Sequence, residues 1–498
     1  MKLPKSLNNR LSIVGAIIAA TSLMLIFFFF VLSLFYQQSS SYLGLFTFII
    51  LPVFLILGLI IIPVGMIART RHLKMHVGEE KEKKWLIDFS DRRHRNATLI
   101  FATGTIILLF LSGVGSYEAF HYTESVEFCG KVCHKVMEPE YTAYQGSAHS
   151  RVACVDCHVG SGAGWYVKSK MSGVRQVFAV LTNSYPHPIP TPITDLRPAR
   201  ETCEECHWPE KFYSHKLVHE KHFLADEVNT EWNTDLRMKL GASHSALGIT
   251  EGIHWHINPD ILIEYIPGDP SRLTIPWVRY INMATGDTVI YLDEEMPLDE
   301  GAIKTAEIRT MDCMDCHTRP SHAYEAPQRY VDHGIAAGNI PLLPGIKMAA
   351  MAILNQTFET KEEAHEAIES QLLAWYEENH PDVFEHRRDE ILKASSGMMA
   401  GFSKNVFPYM KVNWQAYPDH IGHMEFNGCF RCHNDRHSSA DGRVISKDCN
   451  LCHNILTQGT IDNFEVAPFN SFLDFRHPVD IDEAWKEMNC SDCHSALY

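Results

Sequence analysis

The chain has 498 residues, a formal charge of −16, 28 histidines and 14 cysteines. That acidic balance excludes a nucleic-acid binder, which needs a basic face, and a hydrophobic share of 46% excludes an intrinsically disordered polymer. The charge is unevenly placed: residues 97–498 carry −23 and the segment before them is basic, so the acidic part suits a basic partner or simple solubility.

Three uncharged stretches open the chain, at 11–36, 43–67 and 97–116, each long enough to cross a bilayer. Lys2, Lys5 and Arg10 precede the first, and the 68–96 loop carries nine Lys or Arg, whereas the QQSSSY connection has no charge. The positive-inside rule puts the N-terminus and the 68–96 loop in the cytoplasm and everything after the third span outside it, in the periplasm of a bacterium. A cleaved signal peptide is the alternative for the first span, but 26 apolar residues exceed an ordinary h-region and no small-residue cleavage site is evident. Residues 1–116 therefore read as an anchor of three retained helices.

Past the anchor, CGKVCHKVM (129–137) opens a series of motifs. It is an irregular copy of Cys-x-x-Cys-His, with one residue too many between Cys129 and Cys133, then His134, then Met137 three places on. Six regular copies follow: Cys154, Cys157 and His158; Cys203, Cys206 and His207; Cys313, Cys316 and His317; Cys429, Cys432 and His433; Cys449, Cys452 and His453; Cys490, Cys493 and His494. Every cysteine is used. This is the attachment pattern of a c-type haem, in which both thiols form thioethers and the adjacent histidine is an axial ligand. Zinc or disulfides give no reason for a histidine after the second cysteine in all seven copies. Seven covalently bound haem c groups are expected, in a compartment outside the reducing cytosol.

The motif spacing has no fixed period, so this is not a solenoid. A segment at 208–312 separates the third and fourth motifs, and in it PWVRYINM and TVIYL flank the turn-forming ATGD, a hairpin signal. Residues 326–420 lack a motif, and the run after Thr360 opens with a Thr360/Glu363 capping box and continues at helical period. The expected organisation is a four-haem module at 117–325 carrying the 208–312 insertion, a helical spacer at 326–420, and a three-haem module at 421–498. The fold class is a membrane-anchored multihaem cytochrome c: three transmembrane helices, then a mainly α-helical or irregular haem-packed region with a small β-hairpin insertion.

EFCGKVCHKVMEPEY, SAHSRVACVDCHVG, CEECHWP and CMDCHTRPSH resemble the NapC/NirT/NrfH group of membrane-anchored tetrahaem quinol dehydrogenases, over about 97–325 without the insertion. With two more spans and three more motifs, including GCFRCHNDRHSSADGRVISKDCNLCH, the whole chain is similar to the seven-haem inner-membrane cytochromes of metal-reducing bacteria. The resemblance implies that Met137 can replace His134 as ligand of the first haem. It implies that His149 is the distal ligand of the fourth haem and His322 that of the second, and it places Lys170 near the quinol. The acidic residue that the family carries about seven positions after Lys170 is missing, since Gln176 and Val177 stand there; Glu118, His121, Glu124 and Glu127 are the local candidates for proton acceptor. His254 or His256 is preferred for the third haem, with His215, His219 and His222 nearby. Proximity and turn residues favour His423, His437 and His477 in the C-terminal module, with His420 next.

The irregular first copy lies thirteen residues past the third span, where a lipid-soluble donor can reach it. The extra loop residue either moves His134 off the iron in favour of Met137, or bulges out and leaves His134 in place. The expected function is oxidation of menaquinol at a bacterial cytoplasmic (inner) membrane, with electrons passing to periplasmic c-type cytochromes in anaerobic or extracellular metal respiration. Homo-oligomers are compatible with it. A terminal reductase of nitrite or tetrathionate is the alternative and needs a haem with an open face; a membrane subunit docking a separate catalytic protein is a third class.

Overall fold

The computed structural model describes residues 9–35, 50–75, 89–132, 134–160, 162–191, 197–208, 215–241 and 252–495. Cys133, the side chain of His134 and the start of the second expected span lie outside the described residues. The chain divides into two compact units, residues 1–138 with 153–155, and residues 139–152 with 156–498.

The first unit holds α1 (Arg10–Phe35), α2 (Leu51–Met75), α3 (Arg92–Glu124) and the short α4 (Val126–Lys131). Arg10–Phe29, Leu51–Arg69 and Ala102–Glu124 are long and apolar enough to cross a membrane. Inside lipid, apolar burial gives helices little reason to associate, so close packing of small residues must do it. Ser12, Gly15, Ala19 and Ser22 form such a stripe on α1 and are buried against α2, which runs antiparallel. A Cβ on Gly58 would come 2.7 Å from the Ala19 nitrogen, so only glycine permits this approach. Ser12 Oγ donates to the Ile62 carbonyl at 2.9 Å, satisfying its hydroxyl within the bilayer depth.

The chain continues through α5 (His134–Gly146), α6 (Cys154–His158), α7 (Ala163–Leu181) and α8 (Ala199–Cys203). Two sheets follow. One has the order β1-β2-β8-β9, from His215–Phe223, Glu231–Lys239, His453–Gly459 and Phe464–Val466. The other is β6-β3-β4-β5-β7, from Arg309–Thr310, Ile261–Ile266, Trp277–Asn282, Thr288–Asp293 and His437–Ser439. The β4–β5 hairpin is the one expected around ATGD: Asn282 Oδ1 accepts from the Ala284 and Thr285 amides, and Gly286 takes the positive φ of 79°. The insertion holds more than that hairpin. Its β2 pairs with β8, and its β5 with β7, so strands cross the boundary expected at 421.

Residues 327–405 build helices α9 to α13, Pro327–Ala336, Ile346–Leu354, Lys361–Asn379, Pro381–His386 and Arg388–Asn405, around an ordinary apolar core that includes Val331, Ile346, Leu372, Met398 and Phe402. Ala364, Ile368, Leu372 and Tyr376 recur every fourth residue as the buried stripe of α11. Thr360 caps it by accepting from the Glu363 amide at 3.1 Å, while the Glu363 carboxylate returns to the Glu359 amide, one residue before the cap. Lys347 is buried, donating to Asp332 Oδ1 at 2.5 Å and to the Gln328 carbonyl at 2.7 Å; burial pushes its pKa down against the pull of Asp332. Asp332 also accepts from the Phe223 amide, tying this helical region to β1.

Candidate functional site

A Cys-x-x-Cys-His segment can present both sulfurs and the imidazole to one side only if it coils into a turn. The second motif is α6, the third ends α8, and the seventh forms a helix α14 at Cys490–His494. The fourth, fifth and sixth motifs are single 3₁₀ turns at Cys313–Asp315, Gly428–Arg431 and Cys449–Leu451. The His207, His317 and His433 amides each donate to the carbonyl of the motif's first cysteine, at 2.8, 2.8 and 3.1 Å. Asp312, Asp448 and Asn489 stand immediately before the first cysteine and cap their turns, a role that Asp or Asn in that position announces. None of the thirteen described cysteines is in a disulfide.

Each of the six regular motif histidines faces a second histidine. Ring centres are 6.2 Å apart for His158 and His322, 5.8 Å for His207 and His149, and 6.4 Å for His317 and His254. They are 5.9 Å apart for His433 and His256, 6.2 Å for His453 and His423, and 6.3 Å for His494 and His477. Two imidazoles bound through Nε2 on opposite sides of one metal ion, each nitrogen about 2 Å from it, hold their ring centres roughly 6 Å apart. The six separations fit that requirement.

Ring orientation agrees. A ligating imidazole commonly gives its other N–H to a carbonyl, which fixes the tautomer. Nδ1 of His149 faces the Pro320 carbonyl at 3.2 Å, that of His254 the Leu240 carbonyl at 2.8 Å, and that of His256 the Ile253 carbonyl at 2.9 Å. Nδ1 of His322 faces Glu140 O at 3.0 Å, that of His433 Ser446 O at 3.0 Å, and that of His477 Val479 O at 2.7 Å. Burial lowers the pKa of His158, His254, His256, His317, His322, His433, His453 and His494, and pushes that of His423 down to about 4, so the rings are neutral as a ligand must be.

Three of the expectations meet other neighbours in the structure. His149 lies against His207 of the third motif, where the fourth was expected. His254 and His256, both expected for the third, instead face the fourth and fifth. The cause is the 3₁₀ turn Ile253–Ile257, which points two histidines two residues apart toward different motifs. His437, expected as a distal ligand, is fully buried with both ring nitrogens engaged, Nδ1 to Asn434 Oδ1 at 2.9 Å and Nε2 to the Ile275 carbonyl at 2.7 Å. His420, the runner-up, packs Nε2 against the Ser271 carbonyl at 3.2 Å. His219 bonds Asp235 at 2.8 Å, and His222 approaches Asp332 at 3.5 Å.

Neighbouring sites are fastened together by groups that the motif pattern alone does not reveal. Pro320, which holds His149, is two residues from His322. The Cys203 side chain lies beside that of Cys313, and that of Cys429 beside that of Cys452. Arg431, inside the fifth motif and buried, donates to the Asp315 carbonyl of the fourth at 2.7 Å, while the Asp315 carboxylate accepts from Tyr265 and Arg272, both at 2.5 Å. Lys447, just before the sixth motif, donates to the Met488 carbonyl, just before the seventh, at 3.0 Å.

For the first motif, Ser125 caps α4, which carries Cys129, and Met137 follows His134 by one helical turn on α5. Glu118, His121 and Glu124 recur at three-residue spacing along the end of α3, with the His121 ring 4.4 Å from that of Tyr117, and Glu127 sits in the first turn of α4. Lys170 stands on α7 with Nζ 5.0 Å from the centre of the Tyr166 ring. Val167, Met171, Val174, Phe178 and Leu181 form an exposed apolar stripe along the same helix.

Three apolar helices joined to a succession of Cys-His turns, each regular one answered by a second histidine, define a membrane-anchored multihaem cytochrome c with covalently bound haem. Residues 91–188 match the NapC/NirT cytochrome c family, N-terminal region. Over 490 residues, 98% of this chain and 95% of the relative, the sequence is 43% identical to cytochrome c-type protein ImcH of Geobacter sulfurreducens. The chain belongs to that family of cytochromes. It is also 28% identical over 115 residues to cytochrome c-type protein NrfH of Wolinella succinogenes, covering 22% of this chain and 63% of NrfH. No solved structure matches.

Proposed function

We propose that the protein is an inner-membrane menaquinol dehydrogenase that carries seven haems and delivers electrons to periplasmic c-type cytochromes in anaerobic or extracellular respiration. The observation that carries this reading is the set of six histidine pairs, each spaced to hold one iron between two imidazoles. Haem bound in this way supplies reversible one-electron transfer. Six sites with both axial positions filled leave no face for a small oxidant, which disfavours a nitrite or tetrathionate reductase at these positions. The contacts between successive sites support a relay in chain order from the second to the seventh motif.

Menaquinol oxidation releases two electrons and two protons, so the entry site needs bases beside the membrane. Glu118, His121, Glu124 and Glu127 are suited to accept them, and Lys170 to orient the quinol oxygen. In this reading the apolar stripe of α7 rests in the lipid interface with Lys168, Lys170 and Arg175 at headgroup level. Either Met137 or His134 completes the first site. The deciding experiment is reduction of the purified, haem-loaded protein by a menaquinol analogue, with and without a periplasmic cytochrome. Stoichiometric haem reduction followed by onward transfer supports the assignment, and absence of any haem reduction by the quinol overturns it.

A further inference from the structure

We propose that the surface beside the seventh motif is the exit face and that its partner is a small redox protein whose exposed haem edge is ringed by lysines. The proposal rests on the electron-relay reading above. The His477–His494 pair is the last in the chain, and its motif cysteine Cys493 is exposed. Beside it, β9 is the outer strand of its sheet. Phe464 and Val466 on that strand, with Ile461 and Phe469 on its flanks, project apolar surface into water, and Phe469 is 95% exposed. A cavity of about 290 Å³ has His477 on its wall together with Val479, Asp480 and Glu483, so apolar and acidic groups border the same site.

Charge selects the occupant. Residues 460–495 contain eight carboxylates and two cations. Both cations are committed, Arg476 to Glu465 at 2.7 Å and Lys486 to Glu483 at 2.6 Å. Asp462, Asp474, Asp480, Asp482, Glu487 and Asp492 are all exposed and leave the rim strongly negative. An apolar centre within a rim of one sign favours a partner with the complementary arrangement and steers its approach. A second copy of this chain would bring the same negative face and be repelled. Haem held by Cys490, Cys493, His494 and His477 would supply one electron per encounter to the partner's ferric haem, with no bond formed and no proton moved.

The test uses the full-length haem-loaded protein in nanodiscs, reduced with dithionite and mixed with a basic mono-haem cytochrome c or with the same cytochrome after its lysines are succinylated. The expected second-order rate falls steeply with ionic strength and is at least about tenfold lower for the succinylated partner. Asp480→Asn with Asp482→Asn and Glu483→Gln lowers the low-salt rate about five- to tenfold. Carbodiimide cross-links to the partner's lysines map by mass spectrometry to the acidic residues of 460–495. Glu359→Gln with Glu362→Gln and Glu366→Gln, in the helical region, changes nothing. An unchanged rate in the first triple variant, an equal loss in the second, or cross-links confined to another surface overturns the proposal. Because dithionite supplies the electrons, failure of quinol oxidation leaves this outcome readable.

Discussion

On the proposed pairing, replacing His254 by alanine should remove one axial ligand, whereas replacing His437 by alanine should remove none. His254 lies 6.4 Å from His317 with the ring planes 10° apart, and its Nδ1 faces the Leu240 carbonyl. With seven motifs in the chain, loss of this ring should convert about one-seventh of the ferric haem, near 14%, from low spin to high spin. His437 has no free nitrogen. Its removal takes the partner from the Ile275 carbonyl at a fully buried position, at a cost of about 1–3 kcal/mol in stability, with the spin balance untouched. Electron paramagnetic resonance of the oxidised variants, integrated against wild type, reads the high-spin fraction, and thermal unfolding reads the stability. Retention of a fully low-spin spectrum in His254→Ala, or a new high-spin signal in His437→Ala, would refute the reasoning.

Other outcomes follow from single features. Lys347→Met leaves Asp332 as a buried, uncompensated carboxylate and should cost about 3–5 kcal/mol in urea unfolding, most of which Lys347→Met with Asp332→Leu restores. The Asp235 carboxyl is held below its usual range by hydrogen bonds from Thr457 and His219. Its stabilisation, small because the group is solvent-screened, is present above about pH 4 and disappears as pH falls through the depressed value, so the gap between wild type and Asp235→Asn in thermal unfolding should close on acidification. Met171→Lys with Val174→Lys should displace α7 from lipid, slowing menaquinol-driven haem reduction while leaving reduction by dithionite unchanged; each apolar side chain lost from the interface forfeits about 1.5–3 kcal/mol.

Chain-local features were the legible ones. The cysteine motifs and the apolar spans each declare themselves within a few contiguous residues, and the β4–β5 hairpin alternates around a recognisable turn. HKLVHEKHF and EWNTDLRMK hid their strands because charged and polar side chains occupy both faces, and because β2 finds β8 more than two hundred residues later. His322, which the family resemblance alone pointed to, stands beside His158. The neighbours of His254 and His256 were not legible, since several motifs lie within reach and the 3₁₀ turn decides which ring faces which. His437 looked like a ligand because it follows the fifth motif closely; Ile275 and Asp293, which claim it, are remote in sequence.

His254 and His256 share one five-residue turn, yet answer motifs that stand more than a hundred residues apart. The turn therefore works as a rivet between two halves of the conduit, with Arg431 as a second fastening across the same seam. A protein shortened at residue 420 would keep His256 and Asp315 but lose the ring and the guanidinium that complete them. The spacing at this crossing is dictated by local backbone geometry, so bending of the helical region at 327–405 would leave it intact.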